Sequence, residues 1–218
     1  MKRIFTLALA ALMLFALAAC GETQSAATPT PAATPDTVPA ETPATTESPA
    51  ADDDAGVADG SNILIAYFSW SGNTEAVAGM IQSETGGDLF EIAPAEPYTD
   101  DYDTLLDIAR DEQSSGARPA LADAVDSWDG YDVVFVGYPN WWSDAPMAVY
   151  TFLESYDWTG KTLVPFNTSS SGGFGRSLDG VAESASGANI LEGFTVRAGS
   201  LDGAQADVSA WLAGLGLA

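Results

Sequence analysis

The chain of 218 residues contains no histidine and a single cysteine, Cys20. Their scarcity excludes an imidazole base, a Ser-His-Asp hydrolase, a Cys/His zinc site and an intramolecular disulfide. Positive charge is nearly as scarce, because seven Lys and Arg stand against 31 Asp and Glu, for a formal charge of −24. Two of the seven, Lys2 and Arg3, lie at the extreme N-terminus, so the chain without residues 1–19 carries −26. Polyanions are gripped by Lys and Arg, so this chain is expected to repel nucleic acid and anionic lipid headgroups. Also lacking is an apolar run long enough for a permanent membrane helix: Ile4 to Ala19 is too short.

Lys2-Arg3 followed by that run reads as an export signal over residues 1–19. The run ends in "LAAC", Leu17 to Cys20, which resembles the lipobox of bacterial lipoproteins. That resemblance implies lipidation of Cys20 as the mature N-terminus, and so an exported protein anchored to the cell membrane in a bacterial envelope. An uncleaved anchor helix is the alternative. More than one acyl chain gives lasting attachment. Residues 20–60 are rich in Pro, Thr, Ala and acid, with "TPTPAATP" and "DDD" and few large apolar residues. Such a composition cannot build a core and predicts a disordered tether, spanning about 35 Å if flexible and about 120 Å if drawn into polyproline II. Residues 61–218 form one domain of ordinary size.

Within that domain apolar strands alternate with helical patterns. "ILIAYF" (63–68), "VVFVGY" (133–138) and "LVPF" (163–166) are continuous apolar runs, as central parallel strands covered on both faces require. "DLFEIA" (88–93) and "ILEGFTVRA" (190–198) carry interspersed charge, which suits edge strands. Helices are expected at about 74–85, 103–113, 145–155, 175–186 and 203–215, with Pro146 in a first turn and Val208, Trp211, Leu212 and Leu215 as the apolar face of the last. The pattern predicts an α/β fold, a three-layer α/β/α sandwich with a five-stranded parallel sheet. The order 2-1-3-4-5 puts both charged strands at edges, though other orders could do the same.

Three loops at carboxyl strand ends carry the chemistry. Ser69, Trp70, Ser71, Gly72, Asn73 and Thr74 sit where the first strand enters the first helix. A helix N-terminus offers free N–H groups and the positive end of a dipole, so it can hold a phosphate without Lys or Arg. A polar cap would explain one hydroxyl or amide there, but four exceed that need. The third strand ends in "GYPNWWSDAP", whose adjacent tryptophans suit stacking on a planar ring or packing under the next helix. The fourth ends in "PFNTSSSGGFG", a Ser/Gly-rich loop with little specificity of its own. Rival nucleotide signatures fail. No G-x-G-x-x-G follows the first strand, and "GKT" at Gly160 to Thr162 precedes a strand and has Ser155 in place of the first P-loop glycine.

Taken together, "YFSWSGNT", "DLFEIAPAEPYTDDYDTLLDIARDE", "YDVVFVGYPNWWSDAPMAVYTFLE" and "GKTLVPFNTSSSGG" resemble the flavodoxin family, in its flavodoxin-like NAD(P)H-dependent oxidoreductase branch, over about Asn62 to Gly199. The resemblance implies FMN, with Ser69, Trp70, Ser71, Gly72, Asn73 and Thr74 around its phosphate. Pro139, Asn140, Trp141 and Trp142 would contact the isoalloxazine, and Thr168, Ser169, Ser170, Ser171, Gly172 and Gly173 would close over its other side. The chain departs from relatives at Ser143, often glycine, at Asn167, often cysteine, and at Ser169, often histidine or glycine. A glycine at 143 would ease a peptide flip toward the flavin.

The function so implied is an FMN protein tethered to a membrane, either an electron carrier or a reductase of quinone or flavin type. Its redox partner would be a protein or a small acceptor, with NAD(P)H as a candidate donor. Surface carboxylates would disfavour a reduced flavin anion and steer the protein to a basic partner. No second nucleotide motif marks a nicotinamide site. The rival is a non-redox lipoprotein that holds a phosphorylated or aromatic solute in the same crevice. Lys2-Arg3 is not a twin-arginine pair, so a chain exported unfolded would acquire its FMN outside the cytoplasm.

Overall fold

The computed structural model describes residues 62–218. The expected signal segment, Cys20 and the tether lie outside the described residues. Within the domain the elements run β1 (Ile63–Tyr67), α1 (Asn73–Thr85), β2 (Asp88–Glu91), α2 (Tyr102–Ser115), β3 (Val133–Pro139), α3 (Met147–Glu154), β4 (Thr162–Ser169), α4 (Ser177–Ser184), β5 (Asn189–Ile190), β6 (Phe194–Arg197) and α5 (Gln205–Gly214). All strand pairs are parallel, in the order β2-β1-β3-β4-β5, with β6 also on β4. This is the expected order 2-1-3-4-5, one of those consistent with the charge pattern of the strands.

Alternation along the central strands feeds two cores. Leu64, Ala66, Val134, Val136, Tyr138 and Leu163 meet α3 residues such as Phe152 and Leu153 on one face. Ile65, Phe135, Val164 and Phe166 meet Val77, Ala78 and Ile81 of α1 and Val208 and Leu212 of α5 on the other. Burial on both faces is why these strands lack a polar side. Trp211 of α5 lies edge-on to Phe135 at 5.7 Å and stacks on Phe194 at 5.2 Å, while its Nε1–H donates to the Glu192 carbonyl at 3.0 Å. Pro146 stands one residue earlier than expected, as the N-cap of α3.

The fifth strand differs from its expected form because it is broken in two. Register runs Leu163↔Ile190 and then Phe166↔Phe194, three steps along β4 against four along the edge, so one residue bulges out. Proline causes the break. Leu163 turns its backbone toward the edge, where its carbonyl accepts Leu191 N–H at 3.0 Å, and Pro165, two residues on, faces the same way without an N–H to give. The toll falls on an edge strand, where the ladder is short anyway. The "GKT" segment is a turn: Gly160 has φ 79°, and the buried Lys161 donates to the Trp128 and Tyr131 carbonyls at 3.1 and 2.6 Å.

Charge imbalance has a consequence for stability. From Asn62 onward 23 acidic side chains face five basic ones, and self-repulsion of that kind loosens a compact state. Burial also pushes the Glu112 carboxyl up, against the opposing pull of the Tyr98 hydroxyl that it accepts at 2.6 Å. A carboxyl raised by folding contributes stability below its unfolded pKa and loses it as pH rises through the folded value. Opposing groups are Glu154, held low by Arg118, Asp101, held low by Thr104, and Asp157, held low by the Thr159 N–H. Their contribution is present above the unfolded carboxylate range and fades as pH falls through it. Thermal unfolding from pH 3 to 8 is therefore expected to give a Tm about 5 °C higher near pH 5 than at pH 8, with a fall below about pH 4. A Tm that climbs steadily to pH 8 would contradict this balance.

Candidate functional site

All parallel strands point their carboxyl ends the same way, so the loops after β1, β3 and β4 gather at one end of the sheet. Together with α2 they enclose a cleft of about 430 Å³, within the range of small-ligand sites.

One wall is the β1–α1 turn. Gly72 caps α1 with φ 81° and no side-chain cap bond. Below it, Ala76 N–H donates to the Gly72 carbonyl at 2.9 Å. The backbone N–H groups of residues 69–75 have no acceptor among the described residues. Asn73 Nδ2 donates to Ser71 Oγ at 3.0 Å, and Ser69 Oγ is buried with no partner. A buried hydroxyl left unpaired costs about 1–3 kcal/mol. Free amides, neutral donors and that orphaned hydroxyl fit a phosphate group: the set is donor-rich, and the helix dipole adds positive potential. Thr74 lies beneath, buried, its Oγ1 2.8 Å from Thr168 Oγ1, so the first loop is tied to the third.

The second wall is the β3–α3 loop. Asn140 N–H donates to the Thr168 carbonyl at 2.8 Å and its Nδ2 to the Gly173 carbonyl at 3.0 Å, which binds this loop to the β4–α4 loop. The two tryptophans are placed differently. Trp141 packs edge-on between Phe68 and Tyr98, both at 5.3 Å, partly buried against the core while also lining the cleft. Trp142 is 43% exposed at the rim, with Nε1–H donating to the Leu106 carbonyl at 3.1 Å and the Arg110 guanidinium 4.4 Å from its ring centre. Trp141 and Asp144 exchange both backbone bonds, at 2.8 and 3.0 Å, around Trp142 with φ 52° and Ser143 with φ 65°. Two positive φ angles in a two-residue turn define type I′, ordinarily the province of Asn and Gly. Flipping the Trp142–Ser143 peptide would convert it to type II′, which demands glycine-like angles at the first central residue. Trp142 holds that position, so glycine at 143 alone would not free the flip.

Of the residues singled out by sequence, Trp70, Ser71, Asn73, Pro139, Asn140, Trp141, Trp142, Thr168, Ser169 and Ser170 line the cleft. Ser69, Gly72, Thr74, Ser171, Gly172 and Gly173 do not; they shape its loops, with Gly172 N–H donating to Ser169 Oγ at 2.7 Å. Unforeseen in the lining are Tyr102, Leu105, Leu106 and Ala109 of α2, and Ala198. Their i, i+3, i+4, i+7 spacing is visible in the sequence, but periodicity does not distinguish a face turned to core from one turned to a cleft. Trp70 braces this wall, its Nε1–H donating to the Thr99 carbonyl at 2.9 Å and its ring 6.1 Å from that of Tyr102. Among the described residues no cluster of acidic or cysteine side chains is placed to hold a metal ion, and no helix is long and apolar enough to cross a membrane.

Comparison with known proteins agrees with this fold. A protein from Bacteroides eggerthii assigned as a flavoprotein is 35% identical, with TM-score 0.64 over 72% of this chain and 99% of its own. A similar assignment from Bacteroides uniformis is 32% identical, with TM-score 0.63 over 71% and 99%. A flavoprotein from Lactobacillus acidophilus, solved in complex with FMN, is 25% identical, with TM-score 0.54 over 65% and 97%. No curated protein sequence matches the chain. The family model described as flavodoxin matches residues 62–214, and the chain belongs to that family.

Proposed function

We propose that this protein binds FMN in the cleft and passes electrons, while lipid on Cys20 holds it at a membrane of the bacterial envelope. The observation that carries the reading is the run of free backbone N–H groups at residues 69–75 beside the unpartnered Ser69 hydroxyl. Such a cradle suits the phosphate of FMN, and the Lactobacillus acidophilus relative is a complex with FMN. When bound, the flavin supplies one- and two-electron chemistry through its ring. The protein's part is to grip, orient and shield. Ser71 and Asn73 offer neutral donors at the phosphate end, Trp142 and Pro139 give flat apolar surface, and α2 closes the far side with Leu105 and Leu106.

Access supports an external partner. Asn62 enters β1 at the end of the sheet opposite the cleft, and the eight residues of β4 measure about 26 Å along that direction. Asp100, Asp101 and Asp103 flank Tyr102 in sequence, and Tyr102 is 58% exposed at the cleft, so acidic charge at this rim favours a basic redox partner at low salt.

Purified from its native membrane, the protein is expected to be yellow and to release FMN on denaturation, identified by mass spectrometry. A folded protein that releases another phosphorylated or aromatic compound, and stays colourless with added FMN, would overturn the reading. Sustained oxidation of NADH or NADPH with a quinone would mark a reductase. Rapid reduction by a partner flavoprotein without such turnover would mark a carrier.

A further inference from the structure

The Trp142–Ser143 turn is strained, and the contacts that hold it come from far along the chain. Left-handed backbone costs an L-residue with a side chain about 1–2 kcal/mol, so two in succession persist only where neighbours compel them. Those neighbours are Gln113 and the start of α4. Gln113 Nε2 donates to the Trp141 carbonyl at 2.9 Å, and Arg176 N–H donates to the Ser143 carbonyl at 2.8 Å. The Arg176 side chain joins the two, donating through Nε to Asp144 Oδ2 at 2.8 Å and through Nη2 to Gln113 Oε1 at 3.1 Å. Asp144 is fixed in turn, because its Oδ1 accepts Ala145 N–H at 2.9 Å and the Tyr150 hydroxyl at 2.5 Å. Gly175 completes the lock: a Cβ there would come within 2.3 Å of the Ser143 carbonyl oxygen.

We propose that Arg176 is a positioning residue for the cleft, which holds the Trp142–Ser143 turn left-handed and so keeps the Trp142 indole seated on α2. Arg176 lines no part of the cleft itself. Its influence runs through the turn, in which Trp142 and Ser143 have positive φ while the Trp142 Nε1–H reaches the Leu106 carbonyl at 3.1 Å. The consequence for FMN rests on the reading above; the consequence for the indole does not.

Two readouts separate those levels. In the protein without FMN, the Trp142 indole N–H is expected to be protected from hydrogen exchange, to lose that protection in Arg176→Ala, and to regain it in Arg176→Ala/Ser143→Gly, because glycine takes positive φ without strain. FMN affinity is expected to follow, about 10-fold weaker in Arg176→Ala and restored to within about 2-fold by adding Ser143→Gly. Gly175→Ala should lose both signals and should not be rescued by Ser143→Gly, since the clash is with a carbonyl that glycine retains. General loosening of the fold would instead let Ser143→Gly help both variants alike. Unchanged indole protection in Arg176→Ala, or equal rescue in the two backgrounds, would overturn the proposal. Failure of the unaltered protein to bind FMN would overturn the function and leave the indole result standing.

Discussion

Replacing Ser71 with aspartate is expected to weaken FMN binding by about 100-fold or more, a loss near 3 kcal/mol, while riboflavin binding changes little. Ser71 lies at the mouth of the cradle, exposed, one residue before the glycine that caps α1. A carboxylate there would face a phosphate of like sign across a few ångströms, at the point where the chain offers only dipoles in attraction. Two charges of like sign at that range, with an effective dielectric constant of about 20, repel by several kcal/mol before solvent screening. Aspartate near a helix N-terminus meanwhile favours the helix by about 0.3–1 kcal/mol. The variant should thus be as stable as the parent or slightly more so, which separates loss of binding from loss of fold. Titrating the apoprotein with FMN and with riboflavin, by quenching of flavin fluorescence, reads both numbers. Equal weakening of the two ligands would place the phosphate elsewhere.

The cradle could be read from residues 69–74 because its chemistry is local: a strand end, a glycine and a helix start suffice to expose N–H groups. Sheet order was legible for a similar reason, since burial on two faces leaves Ile63 to Phe68 and Val133 to Tyr138 free of charge. What escaped notice depends on contacts across the fold. Pro165 sits in an apolar run that reads as unbroken strand, and only the direction of its backbone, toward the edge, explains why the fifth strand divides there. The Trp142–Ser143 turn lacks the Asn-Gly that normally announces type I′, because Gln113 and Arg176 impose it from 29 and 33 residues away, counted from Trp142 and Ser143. The α2 wall is likewise a tertiary fact. Leu105 and Ala109 are buried and yet line the cleft together with Leu106 and Tyr102, a double duty that one apolar stripe does not reveal.

Gly137→Val is expected to cost about 4 kcal/mol or more of stability, and Gly137→Ala about 3 kcal/mol, the range in which core overpacking becomes severe. Gly137 is opposite Phe166 in the β3–β4 register, and the Phe166 ring fills the space where a side chain would stand. A Cβ at 137 would lie 2.0 Å from Phe166 Cζ and 2.3 Å from Cε2, far inside van der Waals contact. Neither partner can yield. Phe166 is fully buried among Ile65, Phe135 and Val164 beneath α1 and α5, and β3 is held on both sides by β1 and β4. The strain would reach the cleft as well, because the Gly137 carbonyl accepts Phe68 N–H at 2.9 Å just before the phosphate loop. If ring overlap is the cause, Gly137→Ala/Phe166→Leu should recover much of the stability lost in Gly137→Ala, even though Phe166→Leu alone removes buried volume. Urea unfolding of the four proteins measures the coupling. Costs that simply add would show that Gly137 is needed for its backbone and not for the room it leaves to Phe166.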